Sequence, residues 1–206
     1  MTIVGLKTLL ELRGISCWSL EQGPQPKKSI TVSRSFGKKV TEISQLKEAL
    51  ASYMTCAAAK LRAQHSLAGH IIVYCLTNRY HDPYNYFKST SCQLPIATDY
   101  TPDLIAAAEH CLRELFKKGL IYKKVGVLLA DLAPRDFLQM STIVPVLKNR
   151  TKQASCMDVV DRINTKWGRE TLFFAAAGIK QPWKMHQAKK SACFTTNWHE
   201  LLTLTV

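Results

Sequence analysis

Between residues 29 and 132 the spacing of apolar residues switches repeatedly between two and three-to-four, and the order of those switches leaves few folds open. "SITVSRSF" repeats at two: Ile30, Val32 and Phe36 face one way, and Thr31, Ser33 and Ser35 face the other. Arg34 interrupts the apolar side, which places it at the solvated end of a strand. Ile43, Leu46, Leu50, Met54, Ala57 and Leu61 then repeat at three and four, predicting one long helix over 43–65 with Thr41 or Ser44 as its cap. "HIIVYCLTN" (70–78) is β-rich and apolar on both faces, as a central strand is. "HDPYN" is turn chemistry, and "YFKSTSCQL" (86–94) is a more polar strand. In "TPDLIAAAEHCLRELFKKG" Pro102 opens a helix. Leu104, Ile105, Ala108, Cys111, Leu112, Leu115 and Phe116 form its stripe, Lys117 and Lys118 complement its dipole, and Gly119 ends it. "YKKVGVLLADL" (122–132) is the last strand.

The order is βαββαβ. Each helix has a single apolar stripe, so both pack on one face of a four-stranded sheet and the other face stays open. The fold class is α+β, with this unit at 29–132. Residues 1–28 hold a short amphipathic helix ending at Gly14 and the linker "EQGPQPKK". Residues 133–206 form a small mixed tail. In it "CMDVVDRINTKWG" predicts a helix ended by Gly168 and "ETLFFAAAG" a strand.

Composition excludes several classes of function. The seven cysteines form no CxxC pair, so a zinc ribbon or thioredoxin-like site is not expected; reduced, buried thiols in the cytoplasm are. The start of the chain has no signal-peptide pattern, and no run of eighteen apolar residues spans a membrane. P-loop, GxGxxG, GxSxG and HExxH patterns do not occur, and no histidine has a partner at ligand spacing. Asp131 ends a strand without a second carboxylate near it in sequence.

What stands out is charge. The chain carries a net +13, and a self-repelling surplus of that size calls for an acidic partner, nucleic acid first. Between Glu21 and Glu42 there is no acid, yet Lys27, Lys28, Arg34, Lys38 and Lys39 bracket one strand and the turn after it. Ser33 and Ser35 add hydroxyls, and Gly37 allows close approach of a phosphate. The same pattern suits a plain solvated strand end. The overall charge, with a second cluster at Lys117, Lys118, Lys123 and Lys124, favours the phosphate grip. Nothing in it reads bases.

"VSRSFGKKV" resembles the start of the little-finger domain of Y-family translesion DNA polymerases, UmuC branch. "ELRGISC" (11–17) is similar to the end of that family's thumb, "YKKVGVLLADL" to its last little-finger strand, and "GRETLFFAAAGIKQPWKM" to the UmuC tail. The resemblance implies a thumb remnant and linker at 1–28, a little finger at 29–132 and a UmuC-type region at 133–206. It implies contact with the backbone of primer–template DNA through Ser33, Arg34, Ser35 and Lys38, joined by Lys88 on the third strand, in DNA repair and the SOS response; Lys39 of the basic cluster is expected to add to that contact. It further implies that the palm, with its carboxylates and two magnesium ions, is missing, so the chain has no catalytic residue, metal or cofactor and is not a polymerase on its own. In an alternative reading the tail around Phe173, Trp183 and Trp198 is a protein-interaction module that docks onto a recombinase filament, a UmuD-like partner or the sliding clamp. The clamp motif of the family falls at Gln139-Met140-Ser141-Thr142-Ile143, which lacks the terminal aromatic ring. Contact through Gln139, Met140 and Ile143 is therefore expected to be weak.

Overall fold

The computed structural model describes residues 2–18, 25–78, 85–135, 150–185 and 189–201. The elements are α1 (Ile3–Leu12), β1 (Ile30–Val40), α2 (Ile43–Ala63), β2 (Ser66–Thr77), β3 (Phe87–Thr98), α3 (Thr101–Leu115), β4 (Tyr122–Pro134) and α4 (Arg150–Trp167). Two short 3-10 turns follow, at Ala175–Ala177 and Trp198–Glu200.

Four strands make one antiparallel sheet in the order β1-β4-β2-β3. The period of two then fixes what each face carries. Val32, Val73, Val127 and Leu129 are buried under α2 and α3 together with Leu46, Leu50, Met54, Leu104 and Leu112. Each such side chain contributes about 1.5–3 kcal/mol of hydrophobic stabilisation. On the other face His70, Ile72, Tyr74 and Leu76 alternate with buried neighbours and are only half covered. The βαββαβ order and the one-sided sheet are therefore as the spacing of apolar residues predicts.

Helix ends differ from expectation in two places. Glu42 occupies the N-cap of α2, and no side chain bonds there, so neither Thr41 nor Ser44 serves as its cap. Helix α3 stops at Leu115, before the lysines: Phe116 turns extended (φ −70°, ψ 129°) and its ring stacks on Tyr122 at 5.9 Å. The Tyr122 hydroxyl then accepts from the Lys117 N–H at 2.7 Å. Packing of Phe116 outweighs another helical turn, so Arg113, not Lys117 or Lys118, supplies the last-turn positive charge.

The tail is joined to the rest. Arg62 of α2 donates through Nε and Nη2 to the two carboxylate oxygens of Asp161 on α4, at 2.6 and 2.8 Å. Its Nη1 donates to the Asp99 carbonyl and to Thr101 Oγ1 at the start of α3. "ETLFFAAAG" forms a 3-10 turn, not a strand, because Ala177 packs into the main core and Gly178 turns the chain with φ +71°. Trp183 also belongs to that core and is 2% exposed. Among the described residues no helix is long and apolar enough to cross a membrane.

Candidate nucleic-acid interface

The cross-strand register assigns the residues of the uncovered face. Ser33 pairs with Gly126, Gly126 with Tyr74, and Tyr74 with Ser89. One step along, Ser35 pairs with Lys124, Lys124 with Leu76, and Leu76 with Phe87. Successive side chains of a strand point to opposite faces, so these rows share the open side. Glycine is required in the middle of the first row. A Cβ at Gly126 would strike the Tyr74 ring and its hydroxyl and would lie 2.7 Å from Ser33 Cβ. The tyrosine therefore lies flat across β4, its ring 6.4 Å from that of Phe87, which is 63% exposed. The result is a low surface with a serine edge, an aromatic and aliphatic floor and a lysine.

Within the strand stretches 31–35, 70–76, 87–93 and 124–130, neither face carries a carboxylate. A polyanion laid across this side meets hydroxyls, backbone and Lys124 without repulsion. Lys38 and Lys39 extend the same edge. They are exposed and lie between Ser35 and Val40, where the β1–β4 register slips.

Arg34 and Lys88 are placed differently from the serines. Arg34 pairs with Val125, Val125 with Cys75, and Cys75 with Lys88. Val125 and Cys75 are fully buried under the helices, so Arg34 and Lys88 point to the helix-bearing side at the sheet's two margins. With β4 and β2 between their strands, they stand about 14 Å apart at strand spacing. Arg34 lies close enough to Tyr53 of α2 to act on its hydroxyl. Burial pushes that group from 10.0 up to about 12, and the guanidinium opposes the rise. The structure thus groups Ser33, Ser35 and, along the edge, Lys38 and Lys39; Arg34 and Lys88 join them only at the rims. Gln139, Met140 and Ile143 lie outside the described residues.

Tyr74 and Phe87 were not among the expected contact residues, and Lys124 entered only as part of a second basic cluster. The signal for Lys124 is its odd-even position in "YKKVGVLLADL", which sets it opposite Val125 and Val127. Tyr74 was hidden because a strand apolar on both faces reads as covered on both.

Comparison with known proteins places the chain among relatives. Residues 27–142 match the profile described as the impB/mucB/samB family C-terminal domain, and residues 154–204 match a domain of unknown function. The chain is 35% identical over 198 residues to Protein UmuC of Salmonella typhimurium strain LT2, covering 95% of this chain and 46% of that protein. It is 36% identical over 197 residues to Protein SamB of Salmonella typhimurium, with the same coverage. The chain thus spans about half the length of the curated relatives it matches. Among solved structures, the little finger domain of PolIV in complex with a beta-clamp processivity factor matches with a TM-score of 0.39. That alignment has 16% identity and covers 58% of this chain and 98% of that one. A DinB family error-prone DNA polymerase from Sulfolobus solfataricus matches with a TM-score of 0.39 at 14% identity, covering 62% and 35%. With more than half of its length inside that family profile and with relatives of this identity along nearly all of it, the chain belongs to the impB/mucB/samB family and contains its C-terminal domain.

Proposed function

We propose that this chain grips the sugar-phosphate backbone of duplex DNA without regard to sequence, as the C-terminal portion of a UmuC-type translesion polymerase acting in DNA repair and the SOS response. The observation that carries the reading is the sheet face opposite the helices, which joins Ser33, Ser35 and Lys124 and on which the strand stretches 31–35, 70–76, 87–93 and 124–130 carry no carboxylate. Lys38, Lys39, Arg34 and Lys88 supply charge at its margins. In this reading nucleotidyl transfer, with its magnesium ions, belongs to the portion of the relatives that this chain does not span. Its place is the cytoplasm, on the nucleoid when bound.

The test is fluorescence anisotropy of a labelled primer–template duplex titrated with the chain at several salt concentrations, beside Lys38→Ala/Lys124→Ala. With about five phosphates neutralised, log K should fall against log salt with a slope of roughly −4 to −5, and Kd at physiological salt should be on the order of 10⁻⁴ to 10⁻⁶ M. The double variant should shift the slope by about 2 towards zero. No binding at low salt, or a slope untouched by the variant, rejects the grip.

A second reading makes the tail a protein-docking module for a UmuD-like subunit, a recombinase filament or the sliding clamp. In its favour, Leu172 and Phe173 are 42% and 41% exposed, and Asn164 holds the Leu172 backbone by two hydrogen bonds of 2.9 Å. Trp198 is 85% exposed. Trp183, buried in the core, is unavailable to such a partner. This reading predicts protein binding that survives Lys38→Ala/Lys124→Ala and is lost on Leu172→Ala/Phe173→Ala.

A further inference from the structure

The segment from Ala175 to Met185 crosses α2 and reaches the outer edge of β1. The Trp183 ring meets Tyr53 edge-on at 5.8 Å and Phe36 edge-on at 6.4 Å. Its indole N–H donates to Glu48 Oε2 at 3.3 Å. Upstream, Gly178 lies against the same glutamate: a Cβ there would be 2.7 Å from the Glu48 carboxyl carbon. With φ +71° and ψ 147°, Gly178 also occupies backbone space that is essentially reserved for glycine. Gln181 Nε2 donates to the Ala177 and Gly178 carbonyls and closes the turn.

The strap ends in a main-chain bond. The Gly37 N–H donates to the Trp183 carbonyl at 3.0 Å. Gly37 lies within the interval from Ser35 to Val40, where β1 and β4 lose register and no β4 residue pairs with it. That interval carries Lys38 and Lys39. A tail carbonyl thus takes the place of a ladder partner at the point where the sheet releases its basic edge.

From this geometry we infer that the strap is a positioning element for DNA contact: by holding Gly37 it fixes the bulge that presents Lys38 and Lys39 to phosphate. This gives a role to part of the region matched by the profile of unknown function. The inference rests on the DNA-grip reading. A preset bulge spares the complex the cost of ordering both lysines on binding.

Trp183→Ala and Gly178→Ala in the full chain test it. Gly178→Ala loosens the strap by backbone strain and removes no core side chain, so it serves if Trp183→Ala unfolds. Two readouts are needed. Amide hydrogen exchange should speed up at residues 37–39 and stay unchanged in the middle of β2. Duplex affinity should drop by about 3- to 10-fold, and the salt slope should become shallower by about 1–2. Adding Lys38→Ala/Lys39→Ala to Trp183→Ala should then change little, because both act on one contact. Faster exchange with wild-type affinity and slope would overturn the inference, leaving the strap a structural clip only. Unchanged exchange at 37–39 would overturn it as well. A wild-type chain that does not bind duplex rejects the DNA reading itself, a distinguishable result.

Discussion

Cys75 sits at the centre of the sheet, fully buried between Val125 and Lys88 in its cross-strand row. Burial raises its thiol from 9.0 to about 12, that of Cys111 from 9.0 to about 11, and the Tyr53 hydroxyl from 10.0 to about 12. Above pH 9 the unfolded chain releases these thiol protons while the folded chain keeps them. The native state then holds more protons, and stability falls as pH rises. Each group adds at most about 1.4 kcal/mol of loss per pH unit. Urea denaturation at pH 8, 9 and 10 should show this decline, and Cys75→Ala, whatever its cost at pH 8, should make the decline less steep. Much of this scale is legible in the sequence. The period of two in "SITVSRSF" groups Ser33 with Ser35 and Arg34 with Val32 and Phe36. The structure keeps that division, whereas both the charge reading and the family resemblance pooled Arg34 with the serines. The burial of Trp183 was not legible. Its partner Glu48 is 135 residues away, and a lone tryptophan in a basic, glycine-containing tail shows no period that reveals its contact.

At the scale of elements, α4 buries only Met157 and Val160. Such a helix needs a specific tether, and the two-pronged Arg62–Asp161 pair supplies it. The Arg62 side chain is 5% exposed and that of Asp161 31%. Asp161→Ala leaves a buried guanidinium with only its Asp99 and Thr101 contacts, at a cost of about 2–4 kcal/mol. The expected result is a lower denaturation midpoint together with earlier protease cleavage within α4 than within α2. Equal cleavage would mean that α4 is held by other contacts. Helices α2 and α3 were legible because each covers its stripe with neighbours that the periodicity itself identifies. Their ends were less so. Phe116 has the right spacing to continue α3, yet stacking on Tyr122 across a turn takes it out of the helix. The 3-10 turn at Ala175–Ala177 was misread for a similar reason: three alanines carry no pattern, and contact with α2 sets their conformation.

The whole molecule closes on itself at one point. The Lys27 N–H donates to Gln64 Oε1, and Gln64 Nε2 donates back to the Lys27 carbonyl. The Arg135 N–H donates to the neighbouring His65 carbonyl at 2.9 Å. Entry to the sheet domain and exit from it are therefore pinned to the same turn between α2 and β2, and they lead into adjacent strands, with Ile30 opposite Leu129. That arrangement has a mechanical meaning. Tension between residues 27 and 135 pulls β1 sideways off β4, loading the inter-strand bonds one after another like the teeth of a zipper. Tension along the strands would load them all at once. A tweezers experiment with handles at those two positions should record rupture at low force, and handles at residues 40 and 135, which shear the same pair of strands, should require a higher one. A machine that reels in polypeptide from the residue 27 side would peel β1 from the sheet first.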